Sequence, residues 1–196
     1  MTTVDQRYDE EDWALEELSR AGYERCRFTE VDLTEASLTA CTFEACEFDL
    51  VKFNAATFVR CALLGCTFRR CVFFETTLSE CKLTGTTFVE CELTGMHVKG
   101  GDWGYVVLRG EDLTGVDLSG VRLREADLTE ADLSRVNLTG ADLGHARMHH
   151  TTLRGADLRG ANLEGVQLRG LDLTDTRIDL AQAALFAAAY GARVEP

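Results

Sequence analysis

Residues 126–135 read Ala126-Asp127-Leu128-Thr129-Glu130-Ala131-Asp132-Leu133-Ser134-Arg135, one five-residue unit written twice. Outward from this decapeptide, a large apolar residue occupies every fifth position from Phe28 to Ile178 with no slip of frame. Upstream these centres are rich in Phe, as at Phe43, Phe48, Phe53, Phe58, Phe68, Phe73 and Phe88, and from Leu108 onward they are nearly all Leu. A second, smaller apolar series lies two positions before each centre: Cys26, Val31, Ala36, Cys41 and Cys46 at the start, mostly Ala and Val after Val106.

A period of five belongs to neither a 3.6-residue helix nor a two-residue strand, so the repeat is itself the structural unit. Each unit can bury its two apolar residues only if the chain turns a corner every five residues and stacks one coil on the next. Gly recurs two positions after the centre, at Gly65, Gly85, Gly95, Gly110 and onward, which is what a corner of positive φ would select. Pro occurs only at Pro196, as expected where backbone N–H groups must reach a neighbouring coil. Phe with Cys or Ala, and Leu with Ala or Val, roughly conserve the volume of a layer.

The units at 126–130 and 131–135, with Ala156-Asp157-Leu158-Arg159-Gly160 and Ala161-Asn162-Leu163-Glu164-Gly165, resemble the A(D/N)LxG motif of the pentapeptide-repeat family. The resemblance covers most of the chain. It implies an all-β solenoid, a right-handed quadrilateral β-helix with twenty residues per coil, followed by a short C-terminal α-helix. The tail from Ile178 through Phe186 to Gly191 resembles that of the MfpA-like fluoroquinolone-resistance branch, which like the Qnr branch consists of dimeric DNA mimics that bind DNA gyrase. The unbroken frame differs from Qnr coils, which carry inserted loops. The expected organisation is an acidic N-terminal cap or irregular first coil over 1–22, the repeat solenoid over 23–178, and a dimerisation helix with tail over 179–196.

The chain of 196 residues carries a formal charge of −13 and a pI near 4.7. That balance disfavours direct binding to nucleic acid or an anionic membrane and points to basic protein partners. No apolar run reaches the ~18 residues of a membrane span, and the N-terminus lacks an apolar signal core, so a cytoplasmic location is expected.

All eight cysteines, Cys26, Cys41, Cys46, Cys61, Cys66, Cys71, Cys81 and Cys91, fall on the small inward position. With twenty residues per coil they stack about 4.8 Å apart with parallel Cβ vectors, which does not give a disulfide torsion. They are expected to be reduced core residues.

Residues 1–20 hold Asp5, Asp9, Glu10, Glu11, Asp12, Glu16 and Glu17. They are compatible with a short helix whose first turn is acidic. The preferred reading is an irregular first coil with Trp13 as its lid, since Trp13, Leu18 and Tyr23 keep the frame and an uncapped solenoid end would expose a flat β-edge. Between Met96 and Glu111 the pattern is poorest. Either the core adjusts locally, with Gly101 making room for Trp103, or a bulge presents Tyr105 and Val107 to a partner. Glu111 is expected to escape burial through backbone distortion, because an unpaired buried carboxylate is costly.

After Ile178 the period changes. Asp179 suits an N-cap and Gly191 a C-terminal stop. Leu180, Ala184, Leu185 and Ala188 form a stripe with Phe186 beside it. So apolar a segment is expected to cap the solenoid with one face and pair with a twofold mate through the other, Val194 contributing.

His145, His149 and His150 lie on outward positions where nothing converges on them, and neither metal nor cofactor is expected. No nucleophile motif or phosphate loop is present, and a filled solenoid offers no apolar pocket, so the chain reads as a non-enzyme. Acids collect at the outward position before each centre. Glu92, Asp112, Asp132 and Asp172 share one column at the twenty-residue period, with Asp117 and Asp142 taken as neighbours. Like charges at this spacing repel, so the column is read as a face for a partner's basic groove. A dimer of net charge −26, twice −13, spread over roughly 80–100 Å, carries about half the linear charge density of duplex DNA. The function expected from the resemblance is a DNA mimic that binds and inhibits or modulates gyrase and shields it from fluoroquinolones. The alternative is an acidic adaptor for another basic protein.

Overall fold

The computed structural model describes residues 2–195. Its architecture is the expected all-β solenoid, a right-handed quadrilateral β-helix closed by one α-helix, α1 (Leu180–Ala189). Every pairing is parallel and every register step is twenty residues: Thr2 with Gly22, Phe28 with Phe48, Phe48 with Phe68, Phe68 with Phe88, and onward through bridges such as Asp157 with Arg177. One coil thus has four faces, taken here as first to fourth, carrying the columns that begin at Tyr8, Trp13, Leu18 and Tyr23.

The expected positive-φ corner is present at every fifth residue, and at most corners it is not glycine: Glu10, Arg25, Glu35, Ala45, Arg60, Glu80, Tyr105, Glu130 and His150 all adopt it, with φ of 50–62°. An L-residue bears a local cost there of about 1–2 kcal/mol, which coil stacking offsets. The centres are almost fully buried from Phe28 to Leu158. Phe rings stack coil on coil, with centroids 4.7 Å apart for Phe28 and Phe48 and 4.6 Å for Phe48 and Phe68. Each such pair adds about 0.5–1.5 kcal/mol beyond its buried area.

Residues 2–22 form a first coil and not a helix, and the coil is regular. Thr2–Val4, Arg7–Asp9 and Glu17–Ser19 are strands in register with the next coil, so regular winding begins before residue 23. Gln6, Glu11 and Glu16 fill the small slots of this coil and stay exposed, because no coil lies above them. Glu11 accepts the Trp13 Nε1–H at 2.8 Å. Met1 and Pro196, the outer ends of the two terminal segments, lie outside the described residues.

The eight cysteines are free, as expected, and seven are buried. Each thiol also does something the sequence did not disclose. Cys66 Sγ lies 3.4 Å from the carbonyl oxygen of Phe43, twenty-three residues earlier, and Cys46 and Cys61 reach Tyr23 and Leu38 in the same way at 3.5 and 3.3 Å. These corners are open: no N–H three residues on bonds back to the centre's carbonyl, as Ala36 N–H does to Leu33. A thiol donor therefore caps each free oxygen. In the Leu-filled half the corners close with that backbone bond, at Leu113, Leu118 and Leu123 among others, and no cysteine follows Cys91.

Of the two readings of the irregular region the locally adjusted core is the one found, and Gly101 and Glu111 depart from expectation. Trp103 is fully buried in frame, and Tyr105 sits at an ordinary corner with its N–H on Arg124 O, so there is no bulge, and Val107 is half-buried. Gly101 is demanded by backbone rather than by the indole: at φ +120° a Cβ would lie 2.4 Å from Cys81 O, where Thr77–Lys82 and His97–Asp102 pair through a corner. Glu111 is buried and keeps its inward slot, because its carboxylate accepts the N–H groups of Glu90 at 2.8 Å and Cys91 at 2.9 Å. Burial pushes its pKa up, and these two N–H groups oppose the shift.

Candidate protein-binding face

The Asp or Asn before each centre has a structural task. In Asp112, Asp117, Asp132 and Asp172, Oδ1 accepts the N–H two residues on, at 2.8–3.0 Å. This is the local turn bond that short polar side chains make. Column repulsion is therefore not without a structural return, contrary to the reading from spacing. Asn137 and Asn162 make the same bond at 3.1 and 3.0 Å, so the turn needs an acceptor and does not need charge.

Five of the ten aspartates at this position, Asp172 among them, meet an arginine, either one coil away or, in the pair Asp157 and Arg159, two residues on. Asp102 meets Arg122 at 2.7 Å, Asp127 meets Arg147 at 3.5 Å, Asp142 meets Arg124 at 3.5 Å, and Asp157 meets Arg159 at 2.7 Å. The Arg159 guanidinium holds Asp157 down to about 2. Burial works to raise the Asp127 pKa, yet Thr129, Arg147 and Arg109 bring it below the usual range.

Asp117 on the third face has no ion-pair partner among the described residues, and the second face holds a longer unpaired run. Glu92, Asp112 and Asp132 lie on it in one column and have no ion-pair partner among the described residues. Asp172 continues the column beyond Thr152 but meets Arg154 at 3.5 Å, and the Thr174 hydroxyl and N–H lower its pKa. Asp12 and Asp32 extend the column upstream, Asp32 with Lys52 at 3.8 Å. Asp117 does not belong with them. It bridges His97 and Asn137 on the third face, around one corner, and Asp142 bridges Arg122 and Asn162 on the fourth face, opposite. The six carboxylates thus divide over three faces, and only four share a column.

At the C-terminal end, Asp179 caps α1 in a capping box with Gln182. Gln182 and Phe186 form the inward side. Gln182 Nε2 donates to the carbonyls of Leu158 and Ala161 on the last coils, and Phe186 joins the core. Phe186 is therefore a cap residue and is withdrawn from the expected pairing surface. Leu180 (90% exposed), Leu185 (47%), Ala188 and Val194 (53%) face solvent, with Ala184 half-buried between. Beside them Leu171, Leu173 and Ile178 are only partly covered.

His149 and His150 rings are 4.6 Å apart, and among the described residues no three or more His, Cys, Asp or Glu converge to hold a metal. Among those residues no helix is long and apolar enough to cross a membrane.

The family model described as pentapeptide repeats matches this sequence in eight copies, over residues 26–63, 52–88, 107–149 and 141–179. No curated protein matches the sequence significantly. Two solved structures of trypsin-treated QnrB1, described as a plasmid-mediated fluoroquinolone resistance protein, are similar with TM-scores of 0.69 and 0.63. Both share 18% identity with this chain, covering 98% of it and 99% of their own chains. At that identity the likeness is one of fold.

Proposed function

Since the chain belongs to the pentapeptide-repeat family, we propose that it is a DNA-mimicking protein that binds DNA gyrase, inhibits or modulates it and shields it from fluoroquinolones. The observation that carries this reading is the unneutralised column Glu92, Asp112 and Asp132. At Asp112 and Asp132 the fold asks only for a hydrogen-bond acceptor, Asn serves equally well at Asn137 and Asn162, and on other faces arginine meets Asp102, Asp127, Asp142 and Asp157. Carboxylates left free on one flat side of a rod, Glu92 and Asp112 exposed and Asp132 half-buried, suit a groove built for phosphates. The fluoroquinolone-resistance description of QnrB1 and the MfpA-like tail support the choice of gyrase.

On this reading the protein acts as a homodimer, joined by Leu180, Ala184, Leu185, Ala188 and Val194 over the partly covered end of the last coil. It works by contact and performs no catalysis. A gyrase supercoiling assay titrated with the purified protein tests the proposal. Dose-dependent loss of supercoiling is expected. Undiminished supercoiling at a large excess of protein favours the alternative, an adaptor whose column is read by another basic protein.

A further inference from the structure

The acidic column is interrupted by residues the fold does not ask for. In five of the nine units along the second face the two outward positions are Asp12 with Ala14, Asp32 with Thr34, Asp112 with Thr114, Asp132 with Ser134 and Asp172 with Thr174, each joined by the carboxylate-to-N–H bond, which the units of Lys52, Glu92 and Thr152 lack. On the fourth coil the pair is Val72 and Phe74, preceded at the corner of the third coil by Leu50. Val72 has no acceptor to offer Phe74 N–H, so this unit forgoes the bond. In its place stands an apolar group open to solvent: Phe74 is 49% exposed, Leu50 39%, and Val72 half-buried.

The ring of Phe74 has one neighbour on the next coil. It lies over Gly95, where a Cβ would come within 3.3 Å of Phe74 Cδ2. Around the patch runs a charged rim: Asp32 with Lys52, Arg70 with Asp49 at 2.7 Å, and Glu75 with His97 at 3.1 Å. In the column itself Val72 bridges Lys52 on one side and Glu92 on the other, with Asp12 and Asp32 beyond Lys52. An aromatic centre on a fixed backbone, rimmed by charge, is the arrangement that concentrates binding energy at protein interfaces.

We propose that Leu50, Val72 and Phe74 are the apolar anchor of the binding face, received by an apolar pocket within a basic groove of a protein partner. The inference rests on the reading of the second face as the gyrase-binding surface and adds to it a contact that a row of phosphates does not supply. The partner is a protein bearing cations, because the acids on both sides of the anchor repel nucleic acid and anionic membrane. The complex is then held by one part that weakens with salt, from the carboxylates, and one part that does not, from the anchor.

The test measures binding of intact gyrase to the wild-type protein, Phe74→Thr, Val72→Asp and the neutralised pair Asp112→Asn with Asp132→Asn over a range of salt. Phe74→Thr is expected to weaken binding about tenfold at every salt concentration with an unchanged salt slope, whereas the neutralised pair flattens the slope. Val72→Asp restores the missing turn acceptor, so it is expected to melt no lower than wild type and still bind more weakly. Binding of both apolar-site variants within twofold of wild type, with loss only in the neutralised pair, overturns the anchor and leaves the acidic face standing. Loss of binding in none of the variants, or no binding by the wild-type protein, overturns both.

Discussion

Glu111 accepts the Cys91 N–H at 2.9 Å where the Leu-filled coils meet the Phe-filled ones. On regular coils the corner N–H bonds a carbonyl nineteen residues on, as Arg70 does with Val89, but Glu90 N–H turns instead to the Glu111 carboxylate. Glu111 thus mends a ladder that the change of corner type leaves open. Glu111→Ala strands two backbone donors and is expected to lower stability by about 1–3 kcal/mol, read as a lower midpoint in urea. Glu111→Gln separates charge from acceptor. Because the folded-state pKa lies above the ordinary carboxylate value, the native state binds the extra proton, and stability from this group falls as pH rises through the folded pKa. The wild type should therefore gain on Glu111→Gln as pH drops from 7 toward 4. A difference independent of pH contradicts the assignment.

The thiol caps give a second expectation. Cys66→Ser keeps a donor for Phe43 O, while Cys66→Ala removes it. The alanine variant should be the less stable of the two by about 1 kcal/mol, although a thiol read only as a small hydrophobe predicts the reverse order. Burial pushes the Cys71 thiol up, so labelling of the folded protein by a thiol reagent at neutral pH should be slow and should become rapid on unfolding.

At the C-terminal end the two sides of α1 are separable. Leu185→Asp should leave the melting temperature nearly unchanged and, on the proposed homodimer, yield a monomer in sedimentation. Phe186→Ala should cost about 3–5 kcal/mol of stability, as large core truncations do. A Leu185→Asp variant that sediments as a dimer places the interface elsewhere.

Much of this fold was legible because the solenoid core is built one unit at a time. Phe28 to Ile178 could be assigned inward from spacing alone, and all eight cysteines with them. The N-terminal coil was harder to read, since Glu11 and Glu16 occupy small slots that no coil covers. In the tail Phe186 was placed on the pairing surface because no role was read for Gln182, whose amide caps the carbonyls of Leu158 and Ala161 on the same side of the helix. Asp117 and Asp142 were grouped with Asp112 although they lie five and ten residues out of phase with its column, which at twenty per coil means one corner and two. The turn bonds of Asp and Asn were invisible to a count of charges, because they depend on the backbone two residues on. The break at Val72 and Phe74 was present in the sequence as a departure from the Asp-and-Thr pattern, and only the exposure of the ring gave it meaning.

The central claim is that charge on the second face, beyond the acceptor the fold requires, engages gyrase. Substituting Glu92→Gln, Asp112→Asn and Asp132→Asn together keeps acceptors at all three positions, in the manner of Asn137 and Asn162, and removes three charges. The measurement is gyrase supercoiling titrated with this variant beside the wild type, after circular dichroism and sedimentation have shown the same fold and assembly. The account predicts that inhibition is lost or shifted to at least tenfold higher concentration, corresponding to roughly 1.4 kcal/mol or more of binding free energy. A folded triple variant that inhibits at the wild-type concentration would contradict it.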